Sequence, residues 1–188
     1  MQNPQLSGTE PVCMEGEIFV LCRGGIAFTA KSGSTKFEGK GNVYLSTLRL
    51  VFVNEGAQPS SHGMQAFDMP LATLYDDKFN QPIFGANNMT GTSPPLGNAL
   101  QEDIKWCLSF RNGGVGTFLR LFYQLLTEMR QRMGQPAGQS STGPLPVPQA
   151  VAVQLVNAAF VDPSDPSKLY VSQPAQAGGP TVTGVPVA

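Results

Sequence analysis

The chain has few charged residues and few of the side chains that build catalytic sites. Charged residues make up 13% of the 188 residues, the formal net charge is −1, and there is one histidine. A near-neutral chain has no electrostatic footprint for a phosphate backbone, so we expect no direct sequence-specific nucleic-acid binding. The histidine, His62, lies in a Gly/Pro/Ser-rich segment, where a solvated side chain is the expected state.

Cysteine is scarce as well, and no cofactor or metal ion is predicted. Cys13, Cys22 and Cys107 are odd in number and widely spaced, which argues against a disulfide framework or a zinc site. A reducing compartment fits this usage. Asp76 and Asp77 are adjacent on a predicted strand, so their carboxylates would point to opposite faces and could not act together. With no nucleophile motif or phosphate loop, the chain is predicted not to be an enzyme.

Long apolar runs are also missing. No segment reaches the length of a membrane span, and the first residues have neither a basic nor an apolar region of a signal peptide. We therefore expect a protein that is not secreted and has no transmembrane segment. Residues 1–16 are polar with two prolines and are predicted to form a flexible leader.

From residue 17 onward the chain contains short runs that are typical of β-strands. Two glycines after Arg23 predict a hairpin turn between residues 17–22 and 26–30. The segment LRLVFV predicts a central buried strand, and its Arg49 is expected to be exposed or to extend along the surface. Further strands are predicted near residues 37–45, 64–71, 73–79 and 104–110, with Trp106 in the core.

One amphipathic helix follows the strands. Apolar residues recur at three- and four-residue spacing from Val115 to Met129, and Gly134 and Pro136 predict its end. Strands followed by a single helix predict an α+β, mainly β fold over residues 17–133. A bent antiparallel barrel of about seven strands, capped by this helix, is the pleckstrin-homology-like (PH-like) arrangement.

The stretch FNQPIFGANNMTGT, Phe79 to Thr92, is predicted to be a tight corner between two strands, with Phe84 in the core. Its QPIFGAN segment, together with GNVYLSTLRLVFV and QAFDMP, resembles the GRAM domain of the WW domain-binding protein 2 family. The resemblance implies a GRAM domain with the PH-like fold and a non-catalytic interaction adaptor. It also implies a transcription-coactivator-like, chromatin-associated role with transcription-related protein partners, in nucleus and cytoplasm.

Residues 134–188 are rich in Pro, Gly and Val and are predicted to form a mostly disordered tail. The block NAAFVDPSDPSKLYVSQP, residues 157–174, resembles a second segment of the same family. It is predicted to be a linear motif that binds a protein partner; its candidate residues are Phe160, Pro163, Pro166, Leu169 and Tyr170. The sequence contains no Pro-Pro-x-Tyr motif, which puts WW-domain binding in doubt for this chain.

A second interpretation is a peripheral membrane module that binds phosphoinositides, because GRAM domains are similar to domains with that function. The candidate lipid-binding residues are Arg23, Lys31, Lys36 and Lys40, on or near the early loops. Glu38 lies among these cations, and ordinary solvated β-loops carry charges in the same way. Both interpretations remain open on the sequence.

Overall fold

An antiparallel sheet and one long helix make up most of the protein that the structure describes. The computed structural model describes residues 3–56, 63–95, 100–134 and 167–169. Its elements are β1 (Leu6–Ser7), β2 (Glu10–Pro11), β3 (Phe19–Ser32), β4 (Thr35–Ser46), β5 (Arg49–Asn54), β6 (Ala66–Pro70), a 3-10 turn (Leu71–Thr73), β7 (Tyr75–Asn80), β8 (Asn88–Ser93), β9 (Ile104–Phe110), α1 (Gly116–Met133) and β10 (Ser167–Leu169).

The main sheet is a curled half-barrel. Seven of its strands follow the order β6-β5-β4-β3-β9-β8-β7, and β10 pairs with β3 beside this path. All of these pairings are antiparallel. The predicted PH-like arrangement of about seven strands and one C-terminal helix is confirmed.

Strand β3 contains a bulge where the sequence predicts a hairpin turn. Its pairing with β4 moves from Arg23 opposite Val43 to Ile26 opposite Gly41, so β3 holds one extra residue there. Gly25 adopts a φ of 68°, a conformation that glycine tolerates and that a bulge of this type requires. The predicted turn is therefore wrong, because pairing with β4 continues on both sides of the bulge. The reversal occurs instead at Gly33, between β3 and β4.

The concave face of the sheet and α1 enclose the main core. The rings of Phe28 and Phe52 stack with centroids 4.6 Å apart, and Phe118 of α1 lies 5.2 Å from Phe110. The prediction that Trp106 is buried is confirmed, since its side chain is 2% exposed. Its ring occupies the space beside Gly91, the residue opposite it on β8, where an added Cβ would collide with the indole.

The first residues pack on the convex face of the sheet, whereas the sequence predicts a flexible leader. The Asn3 Oδ1 accepts a hydrogen bond from the Gln65 backbone N–H at 2.7 Å, and the Tyr44 hydroxyl donates to the Thr9 carbonyl. Cys13 is 3% exposed and lies in a second apolar cluster outside the main core. This cluster gives the leader an apolar surface to cover, which the polar composition of residues 1–16 does not reveal.

Arg49 is buried, so the expectation of an exposed side chain is wrong. Its guanidinium forms ion pairs with Glu17 and Asp68, all three side chains being at most 3% exposed. Nη2 also donates to the Val12 carbonyl at 2.9 Å. Two carboxylates and a carbonyl replace the water that burial removes, which is what a buried guanidinium requires.

Candidate interaction surfaces

The loop between β7 and β8, residues 81–87, projects from one end of the sheet. Asn80 and Asn88 pair at its base, and the Asn80 Nδ2 donates a hydrogen bond to the Asn88 Oδ1 at 3.0 Å. The Asn87 carbonyl accepts a hydrogen bond from the Phe110 backbone N–H at 2.8 Å, which ties the second arm to β9. The predicted corner between two strands is confirmed, and its base is fixed by both neighbouring strands.

Two large apolar side chains lie at the tip of this loop. Ile83 is 93% exposed and Phe84 is 91% exposed, so the prediction that Phe84 belongs to the core is wrong. The physical reason is that the loop extends past the last strand pair, where no second layer of the protein covers it. Among the described residues, the next most exposed large hydrophobic side chain is Met133, at 54%. Adjacent exposed hydrophobic residues on an anchored loop are typical of an interaction site.

A cleft of about 560 Å³ opens at the same end of the sheet. Lys40 and Arg111 line it, together with Glu55 and the glycine bulge of β3. Lys40 lies in one cross-strand row with Ala27, Ser109 and Asn88, so it is three strands from the base of the β7–β8 loop. That separation is roughly 14 Å at the usual strand spacing. The cleft therefore places Lys40 in the cross-strand row that leads to the base of the loop.

The four predicted lipid-binding cations do not form one patch. Arg23 is fully buried; its Nη2 donates to the Gly113 carbonyl, and its guanidinium lies 5.9 Å from the Phe110 ring centroid. It therefore belongs to the interior and not to the surface on which a headgroup would bind. Lys31, Lys36 and Lys40 are exposed, but Lys40 lies four residues from Lys36 along β4, roughly 13 Å away.

A row of three lysines crosses the opposite end of the sheet. Lys31 pairs with Lys36 of β4 on one side and with Lys105 of β9 on the other. Directly opposed residues point to the same face, and all three are exposed. The Lys36 Nζ also lies 2.6 Å from the Glu38 carboxylate. Sequence reasoning missed Lys105 because only the strand register brings it beside Lys31.

Two kinds of site are absent from the described parts of the chain, and several candidate residues lie outside those parts. Residues 3–56, 63–95, 100–134 and 167–169 contain no group of three His, Cys, Asp or Glu residues placed to hold a metal ion. No helix in these ranges combines the length and the apolar character that crossing a bilayer requires. Outside them lie His62 and four of the candidate tail residues, Phe160, Pro163, Pro166 and Tyr170. Leu169 ends β10.

A comparison with solved structures identifies the fold. The Vps36 N-terminal PH domain superimposes with a TM-score of 0.52, covering 70% of this chain and 95% of that domain. The two sequences are 16% identical, so the likeness concerns the fold. The curled sheet closed by α1 therefore has the PH-like fold.

Sequence comparison identifies the relatives of this PH-like domain. The chain is 33% identical over 141 residues to mouse WW domain-binding protein 2, covering 74% of this chain and 44% of that protein. It is 28% identical over 132 residues to a UPF0664 stress-induced protein of Schizosaccharomyces pombe, covering 66% of this chain and 73% of the yeast protein. No protein-family model matches the chain. The chain is therefore a homologue of WW domain-binding protein 2, as its motifs predict, and spans less than half the length of the mouse protein.

Proposed function

We propose that the protein is a non-catalytic interaction adaptor whose β7–β8 loop docks a protein partner through Ile83 and Phe84. The observation that carries the proposal is the exposure of these two side chains, 93% and 91%, on a loop anchored at both arms. Burying each of them against a partner is worth about 1.5–3 kcal/mol, and a fixed base reduces the entropy lost on binding.

The names of the relatives support a protein-binding role. Mouse WW domain-binding protein 2 is named for its partner, and its similarity to this chain covers 74% of the chain. We further propose that the folded domain is of the GRAM type and that the protein has a transcription-coactivator-like role, with transcription-related proteins as its partners. The absence of Pro-Pro-x-Tyr from the sequence favours a partner that recognises the folded surface over one that recognises a proline–tyrosine peptide.

Affinity capture from nuclear extract tests this proposal. We expect the native chain to retain transcription-related proteins and the double variant Ile83→Ser/Phe84→Ser to lose them, with the same thermal midpoint as the native chain. Met133→Ser is the matched control, because Met133 is an exposed hydrophobic residue at the end of α1. Equal recovery by the double variant and the control would exclude the loop as the docking site.

A second candidate function is supported by the row of lysines. Lys36, Lys31 and Lys105 hold three like charges on neighbouring strands, an arrangement that costs stability unless an anion offsets it. Three ammonium groups at this spacing suit the clustered phosphates of a phosphoinositide headgroup. Glu38 partly neutralises Lys36 and would weaken the attraction. Because the lysines are exposed, salt would screen them and the affinity would depend on salt concentration.

Binding to vesicles with and without phosphoinositides tests the second candidate. The triple variant Lys31→Gln/Lys36→Gln/Lys105→Gln should lose salt-sensitive binding while remaining folded. A second variant, Lys40→Gln/Arg111→Gln, removes the two cations of the cleft and tests whether the other end of the sheet contributes. Vesicle binding that survives both variants would eliminate these cations, including the predicted Lys31, Lys36 and Lys40.

A further inference from the structure

Half of strand β3 would have an open edge without the tail. On one side β3 pairs with β4 over nearly its whole length. On the other side β9 pairs only with residues 26–31, and its last contact is the Arg111 backbone N–H donating to the Gly25 carbonyl at 2.9 Å. The chain then turns toward α1. An exposed strand edge of this kind is a template for another extended segment.

The tail supplies such a segment. In β10, Ser167 lies opposite Arg23, Lys168 opposite Cys22, and Leu169 opposite Leu21, in antiparallel register. β10 therefore continues the edge of β3 that β9 leaves at the bulge. The side chain of Arg23 links this part of β3 to the turn after β9, because its guanidinium donates a hydrogen bond to the Gly113 carbonyl.

The pairing between β10 and β3 is short. Three residue pairs form it, whereas β3 pairs with β9 over six. Residues 135–166 separate α1 from β10 in the sequence, so the segment that pairs with β3 belongs to the same chain. Because β10 is covalently joined to the sheet, a separate peptide that binds the same edge competes with an intramolecular contact. A three-residue ladder held in this way can open while the rest of the sheet stays paired.

We propose that the edge of β3 at residues 21–23 is a binding site for an extended peptide, which adds to the sheet as a strand, and that β10 is the resident occupant with which the peptide competes. Main-chain hydrogen bonds supply the affinity in this mode of recognition, and alternate side chains supply the specificity. The bound segment has no proline at the three paired positions. Lys168, the middle residue of β10, is exposed. We therefore expect the middle residue of a bound peptide to have a polar side chain. This inference deepens the proposed interaction function by adding a second, regulated surface.

Peptide binding to the full chain tests the proposal. The probe is a fluorescent peptide with the sequence of residues 162–174, and the variant is Ser167→Pro/Lys168→Pro/Leu169→Pro, which removes the backbone donors of β10. We expect the variant to bind the peptide at least about tenfold more tightly than the native chain, because the tethered competitor is gone. The control chain carries Gln176→Pro/Ala177→Pro/Gly178→Pro and should bind like the native chain. A Lys168→Pro version of the peptide should not bind.

Amide hydrogen exchange supplies a second measurement. The amides at Leu21–Arg23 that face β10 should exchange faster in the β10 variant and regain protection when the peptide is added, while those of residues 26–31 stay unchanged. Equal peptide affinity of the native and variant chains, or unchanged exchange, would overturn the proposal. Dimerisation of the native chain that is lost in the variant would also overturn it, because the strand would then come from a second copy. The proposal that Ile83 and Phe84 dock a protein partner is tested separately by affinity capture, and its outcome does not depend on peptide binding at β3.

Discussion

Arg49 forms a bidentate, buried ion pair with Glu17. The Arg49 Nε donates to the Glu17 Oε1 at 2.8 Å and Nη2 donates to Oε2 at 3.0 Å. Nη1 reaches the Asp68 carboxylate at 3.1 Å on the other side. The guanidinium thus connects Glu17, two residues before β3, to β5 and β6, and it fixes the point at which the chain enters the sheet.

Removing Glu17 should destabilise the domain strongly. Glu17→Ala leaves Arg49 with one carboxylate partner in a buried site, and losing one partner of a buried ion pair costs about 3–5 kcal/mol. Urea denaturation of the variant measures this loss directly. Glu15→Ala, at an exposed position two residues earlier, is the control and should stay within about 0.5 kcal/mol of the native chain. A native-like midpoint for Glu17→Ala would contradict the structural role of the pair.

Stability should fall at alkaline pH because of Cys13. Burial, with a contribution from the negative charge of Glu17, raises the pKa of this thiol from its ordinary value of 9.0 to about 11. Between these values the folded state keeps the proton that the unfolded state releases, so the free energy of unfolding decreases as pH rises.

The expected contribution of Cys13 is roughly 1–3 kcal/mol across that window. Denaturation at several pH values should show a shallower decline for Cys13→Ala than for the native chain. Cys107→Ala, which removes a half-buried thiol, is the control and should follow the native curve. If Cys13→Ala declines as steeply as the native chain, other groups cause the alkaline loss.

Two aromatic residues that the sequence places in the core should respond differently to truncation. Trp106→Ala should cost about 3–5 kcal/mol, because the indole is buried and packs against Gly91. Phe84→Ala should change the free energy of unfolding by less than about 0.5 kcal/mol, since its ring is 91% exposed. Thermal or urea denaturation checks both. A large loss for Phe84→Ala would mean that the β7–β8 loop packs on the domain.

Truncation after Gln139 should have little effect on the thermal midpoint. The predicted domain boundary near Met133 coincides with the end of α1, and β10 adds only three residue pairs to the sheet. We expect a shift of less than about 4 °C, which corresponds to roughly 1 kcal/mol. Calorimetry of the truncated and full chains measures the shift. A larger drop would show that the tail contributes substantially to the folded state.

The order and type of the main elements could be predicted from the sequence because they depend on local pattern. The three- and four-residue spacing of apolar residues predicts α1, and alternation in IKWCLSF predicts β9 and the burial of Trp106. The turn formers between Phe79 and Thr92 predict the corner between β7 and β8. These motifs also pointed to the relatives that sequence comparison finds, since the chain is 33% identical to mouse WW domain-binding protein 2 over 141 residues.

Only the tertiary structure decided the burial of several other side chains. Ile83 and Phe84 are large apolar residues, as in a core, but they extend past the last strand pair and are exposed. Arg49 is charged but buried, because the fold brings the carboxylates of Glu17 and Asp68 to its guanidinium.

Strand register decided the rest of the surface. Two glycines can make a turn or a bulge, and continuous pairing with β4 selects the bulge at Gly25. The same register places Lys105 beside Lys31 and leaves an edge of β3 for the tail. Pairing between distant strands depends on packing across the whole sheet, so local sequence pattern determines the elements but not these contacts.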